Sequence, residues 1–232
     1  MRFKVTSQGT QEISEPLSSS APIPQKKALL VHGTYAVMGG AESYSIRIVS
    51  LLQRQFQRIV VLHHGEPPDL DEIERFSGFD LDRGKVEFRA VPPPRLLGGL
   101  LKRRSGLALL RYAFVVREAQ RQAQDFDLVA STFCECSVAE VPAMYTVHIP
   151  LLVADRESLF YCGIRDWGPI RRAVHGVYIG VVKMLMGFRR DDFDRSLTIA
   201  NSEWTAGQVR RHYPSANVMA RYQGAKISIS SD

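Results

Sequence analysis

ALLVHGTYAVMGGAESYSIRIVSLLQRQF, residues 28–56, joins three signals in a fixed order. Residues 28–31 are a short apolar run of the kind that forms a buried strand. A loop containing Gly33, Gly39 and Gly40 follows. Residues 41–56 then read as an amphipathic helix, with Ala41, Tyr44, Ile48, Leu51 and Leu52 expected on its core face. Strand, glycine loop and helix open an α/β ligand-binding layout in which N–H groups at the helix start face an anion. Gly39 and Gly40 would let that anion approach the backbone without a Cβ in the way. The loop lacks a Gly-Lys-Ser/Thr ending and the G-x-G-x-x-G order, which excludes a P-loop and the dinucleotide fingerprint. Taken by themselves, the paired glycines also fit a tight turn that needs positive φ.

Outward from this stretch the alternation continues. Strands are expected at 58–63, 86–91, 127–132, 143–149, 196–200 and 217–222, and a short helix at 69–76. Ser105 is a candidate cap for a helix to about Gln122, with Leu109, Tyr112, Ala113, Val116 and Ala123 on one face. Pro169 suits the first turn of a long helix whose core stripe is expected to be Ile170, Val174, Val177, Val181, Leu185 and Phe188. From Gly176 to Phe188 only Lys183 is charged, and these 13 residues are too few to cross a bilayer, which takes about 20. This segment is left to be buried, or to lie against a membrane or a partner. Ser202 is placed to cap a helix over 203–212, with Trp204 expected in the core. Strands alternating with helices imply right-handed parallel βαβ units. The expectation is one α/β domain, a Rossmann-like parallel sheet of about seven strands with helices on both faces.

The chain has 232 residues, 45% of them hydrophobic, and a net charge of +6. That excess suits phosphorylated ligands, anionic membranes or nucleic acid, but the basic residues are scattered and no nucleic-acid motif is present, so no nucleic-acid partner is expected. Cys134, Cys136 and Cys162 are an odd set without a secretory signal, which favours free thiols in a reducing compartment. Cys134-Glu135-Cys136 has no further ligands at suitable spacing, since His63 and His64 are distant in sequence, and no metal is expected. Residues 1–26 are polar and read as a flexible tail. In 95–111, leucines that include Leu100 and Leu101 adjoin Lys102, Arg103 and Arg104. This pattern fits an interfacial anchor on an anionic membrane, and also a solvated loop leading into the next helix.

Four motifs in order resemble the N-terminal half of GT-B glycosyltransferases of family 4. Gly-Gly-Ala-Glu at 39–42 is similar to the opening of that family's first helix. Tyr-Thr-Val-His-Ile-Pro at 145–150 resembles a strand-end Y-x-x-H-x-P segment, notably that of dolichol-pathway-like mannosyltransferases. Ala-Asn-Ser-Glu-Trp-Thr at 200–205 is similar to the ANS-x-[FW]-T helix start, and Tyr-Gln-Gly-Ala at 222–225 to a Y-N-G-V exit from the first domain.

The resemblance implies a division into a tail (1–26), a GT-B N-terminal Rossmann-like domain (27–225) and a truncated interdomain linker (226–232). It implies transfer of a sugar with retention from a nucleotide-sugar to a glycan or lipid-linked acceptor, with the donor bound by a missing C-terminal domain or partner chain. No cofactor and no metal are called for, the nucleotide-sugar being a co-substrate. His148 is the implied catalytic residue, Gly39 and Gly40 the implied donor-diphosphate contacts, and Asn201 and Ser202 candidates lining the acceptor cleft. The alternative is a non-catalytic acceptor- or membrane-binding subunit that works with a separate donor-binding chain. A cytoplasmic protein is expected, peripheral on the inner face of a membrane if the 95–111 anchor operates.

Overall fold

The computed structural model describes residues 25–94, 107–138, 141–152 and 168–221. Seven strands, β1 (Lys27–Val31), β2 (Arg58–His63), β3 (Val86–Ala90), β4 (Leu128–Ser131), β5 (Ala143–Val147), β6 (Leu197–Ala200) and β7 (Asn217–Ala220), form one sheet. Their order is β3-β2-β1-β4-β5-β6-β7, and every pairing is parallel. Among the described residues the helices are α1 (Gly40–Leu52), α2 (Leu70–Ser77), α3 (Ala108–Gln122), α4 (Pro169–Met186), α5 (Arg190–Arg195) and α6 (Glu203–His212).

The sheet is covered on both faces, which is why its strands read as apolar runs. Leu29 and Val31 point to the side packed by α3 and the end of α4, while Ala28 and Leu30 point to the side packed by α1 and α2. All four are fully buried, as are Ile59, Val60, Val61 and Leu62 beside them in β2. Each large side chain buried in this way contributes roughly 1.5–3 kcal/mol. The architecture is therefore α/β and Rossmann-like, as the alternation of elements implies.

Three faces differ from the expectation. In α1 the sheet takes Ser45, Ile46, Ile48 and Val49, whereas Leu51 is exposed and Ala41, Tyr44 and Leu52 are half-buried. The cause is Ser45, a buried polar residue bonded to the Tyr35 hydroxyl at 2.6 Å, which breaks the apolar pattern without leaving the core. Trp204 is exposed on α6, where Thr205, Ala206, Gln208 and Val209 are the buried residues.

The largest correction concerns α4. Ile170, Val174, Val177 and Val181 all face solvent, and Leu185 and Phe188 are only half-buried. Ile179, Val182 and Met186 are buried in their place. The helix begins at Pro169 as expected and ends at Gly187, whose φ of 61° is the left-handed cap favoured by glycine. So few residues of α4 are charged that periodicity does not single out its core face.

Candidate functional site

β1 and β4 are neighbours in the sheet, but the crossovers that leave β1 and enter β4 lie on opposite faces. A crevice opens at the carboxyl ends of strands at such a switch point. The loop from β1 and the start of α1 border it on one side, and the segments after β4, β5 and β6 on the other.

Gly39 is the N-cap of α1, with φ −151° and ψ −167°. That is extended backbone which any residue adopts, so a positive-φ turn does not explain this glycine. A Cβ at Gly40 would meet nothing within 4 Å, and its backbone is open to approach. A Cβ at Gly39 would stand 3.0 Å from the Glu42 carboxylate. Burial pushes the Glu42 carboxyl up, but hydrogen bonding, including bonds from the N–H groups of Gly39 and Glu42 itself, and the nearby His32 together hold it below the usual range. The N-terminus of α1 thus already carries one anion, the protein's own carboxylate.

His32, fully buried at the end of β1, connects the two sides of the crevice. Its Nδ1 lies 3.0 Å from Thr132 Oγ1, and its Nε2 is 3.7 Å from Glu42 Oε1, outside hydrogen-bond range. Thr132 Oγ1 in turn lies 3.1 Å from Ser45 Oγ, which carries the chain on to Tyr35. Gly33 is a glycine for a separate reason: a Cβ there would come within 2.9 Å of the Phe133 ring.

His148 sits in the bend just after β5 and is partly buried. Its Nε2 is 3.3 Å from the Thr132 carbonyl oxygen, and its ring meets Tyr44 edge-on at 5.9 Å between centroids. Burial lowers its pKa, more than the Thr132 hydrogen bond and Glu42 raise it. The imidazole is then neutral near pH 7. A carbonyl can only accept, so Nε2 carries the proton and Nδ1 is the acceptor nitrogen of the ring.

Asn201 and Ser202 meet this group through Thr205. Ser202 Oγ accepts from the Thr205 N–H at 3.1 Å and caps α6. Thr205 Oγ1 is 2.6 Å from Asn201 Oδ1 and 3.2 Å from the His148 carbonyl oxygen. Gly39, Gly40, His148, Asn201 and Ser202 therefore lie along the carboxyl edge of β1, β5 and β6. The motif reading did not single out His32 or Thr132, although His32 directly follows the apolar run of β1 and Thr132 lies at the end of the expected strand 127–132.

Leu100, Leu101, Lys102, Arg103 and Arg104 lie outside the described residues, as do Ser105, Cys162 and the 222–225 motif. Cys134 and Cys136 are buried, and burial raises both thiols, Cys136 to about 12. Among the described residues no three His, Cys, Asp or Glu side chains are grouped to hold a metal ion, and no helix is long and apolar enough to cross a membrane.

No family model and no curated protein matches the sequence. Among solved structures, the chain is similar to a UGT transferase from Siraitia grosvenorii in complex with UDP, at 13% identity and a TM-score of 0.40. The match covers 84% of this chain and 50% of that one, so the chain spans about half the length of the solved protein.

Proposed function

We propose that this chain is the acceptor-binding half of a retaining GT-B glycosyltransferase, which moves a sugar from a nucleotide-sugar to a glycan or lipid-linked acceptor at the cytoplasmic face of a membrane. The observation that carries this reading is the meeting of three separate motifs at one crevice: Gly-Gly-Ala-Glu at the start of α1, His148 after β5, and Asn201-Ser202 before α6. The donor's diphosphate approaches the open backbone at Gly39 and Gly40, where the N–H groups not already bonded to the Glu42 carboxylate and the helix dipole stabilise the charge that develops on the leaving group. Neutral His148 borders the position of the transferred sugar, its ring held by Thr132 and its backbone by Thr205. Asn201 and Ser202 act by positioning Thr205 and the start of α6. No cofactor takes part, and the remaining donor contacts come from a second domain or partner chain.

The test joins residues 1–222 to a GT-B donor-binding domain and measures sugar transfer from UDP- and GDP-sugars. His148→Ala should lower kcat about a hundredfold, or ~2.7 kcal/mol of transition-state stabilisation, with the melting temperature nearly unchanged. A strong loss of melting temperature with full activity per folded molecule would make His148 a packing residue and remove the reading's central element.

A further inference from the structure

Glu135 is a fully buried carboxylate four residues past the end of β4. Its neighbours Cys134, Cys136 and Val138 belong to the core packed by α3 and α4. Oε2 accepts from the Leu151 N–H at 2.9 Å, and Oε1 from the Leu152 N–H at 3.1 Å. Burial pushes the carboxyl up, while its own N–H, those of Leu151 and Leu152 and the charge of Lys183 pull it part of the way back. The two bonds therefore favour the ionised form, which accepts on both oxygens and donates from neither.

The segment that carries Glu135 is a fixed base. Ser131 Oγ donates to the Cys134 carbonyl at 3.1 Å, Gln120 Nε2 to the Ser137 carbonyl at 2.7 Å, and the Val138 N–H to Tyr145 Oη at 3.1 Å. Ser137 Oγ donates to Asp192 on α5 at 2.7 Å. β4, α3, β5 and α5 thus all hold residues 134–138 in place. What the carboxylate grips has no such frame, for residues 148–152 follow β5 and belong to no strand or helix. This bend starts at His148, whose carbonyl accepts from Thr205 and whose Nε2 donates to the Thr132 carbonyl. Pro150 in its middle has a fixed φ and disfavours helical backbone at Ile149. Few rotations remain between Leu151 and His148, so holding one end restrains the other.

We propose that Glu135 is a positioning residue for His148: its carboxylate ties the far end of the 148–152 bend to the base built after β4, and so keeps the imidazole against Thr132 and Tyr44 at the crevice. A glutamine would not serve, because its amide NH2 would face one of the two N–H donors. The catalytic consequence rests on the glycosyltransferase reading. The placement of the imidazole does not.

Nuclear magnetic resonance of the full chain tests the placement. In the parent protein the Leu151 and Leu152 amides should exchange as slowly as those of β5, and exchange at the rate of an open loop would overturn the proposal. With isotope-labelled histidine, the His148 signal, assigned by its loss in His148→Gln, should report the Nε2–H tautomer and a lowered pKa. Glu135→Gln should raise that pKa toward the ordinary value of about 6.5, by about half a pH unit or more, and mix the two tautomers, because a freed bend lets water reach the ring. The groups that face the ring, Tyr44, Thr132, His32 and Glu42, are the same in both proteins. An unchanged His148 signal in folded Glu135→Gln would overturn the proposal. So would an equal shift of His63 and His64, which marks general loosening. Should Glu135→Gln not fold, Glu135→Asp, which keeps the charge but withdraws it by one methylene, takes the same measurement. In the chain joined to a donor-binding domain, Glu135→Gln should lower kcat roughly tenfold, leave KM for the nucleotide-sugar within about twofold and add little to His148→Ala. Absence of transfer by every joined enzyme would count against the glycosyltransferase reading alone, since the resonance measurements need no transfer.

Discussion

α3 and α4 lie side by side on one face of the sheet, yet they use their apolar residues in opposite ways. α3 buries Tyr112, Ala113, Val115, Val116 and Ala119 against β1 and its neighbours, and its exposed side is charged. α4 has fewer charged residues but buries only Ile179, Val182 and Met186. α3 spans the centre of the sheet. α4 touches the core through its second half and is held there by a few polar links. Tyr178 Oη accepts from the Leu110 N–H at 3.2 Å, and Gln120 Nε2 reaches the Met186 carbonyl at 2.8 Å. Apolar content thus tells what a helix can cover, and its place over the sheet decides what it does cover.

The sharpest way to break this contrast is to place the same charge in both helices. Val116→Asp puts an unpaired carboxylate into a fully buried position of α3 and should cost about 4 kcal/mol or more, enough to unfold many domains of this size. Val177→Asp in α4 should stay within about 1 kcal/mol of the parent. Urea unfolding followed by circular dichroism gives both values. Comparable losses would mean that the α4 stripe is covered in solution.

Acid tests the α3 side next. Burial, followed by the charge of Arg111 on α3, lowers the pKa of His64 to about 4. Between the ordinary value near 6.5 and this one, the unfolded chain takes up a proton that the folded chain refuses. Stability therefore falls as pH drops through that window. His64 alone should remove on the order of 2 kcal/mol between pH 7 and pH 4.5, and His63 and His148, lowered in the same direction, add to the loss. Burial also lowers the partly exposed His175 of α4. His64→Gln should flatten the pH dependence of the urea midpoint clearly more than His175→Gln. An unchanged slope in His64→Gln would refute the assignment.

A smaller effect concerns the joint between the helices. Gln120 Nε2 also reaches the Ser137 carbonyl at 2.7 Å, so Gln120→Ala removes both links and should cost about 1–3 kcal/mol, the usual range for orphaned part-buried groups. Amide exchange should then quicken in the last turns of α4 more than in α3. Uniform quickening in both helices would show that they open as one unit.

What the sequence by itself determined is local. The apolar runs 28–31 and 58–63, the proline at the start of α4 and the Ser202 cap are written in neighbouring residues, because strands, caps and first turns are set by interactions within a few positions. Parallel order followed from alternation, since a strand joined to its parallel neighbour needs a crossover. Of the crevice, Gly39 and Gly40 were read from the loop that opens α1 and His148 from the resemblance of its motif, and the structure sets them at the carboxyl ends of β1 and β5. Tertiary structure alone decided that His32 lies beside Thr132, 100 positions away, a contact that depends on β1 and β4 being neighbours. It alone turned Ile170, Val174 and Val177 outward, because α4 has apolar residues on two sides and only the sheet beneath it chooses between them.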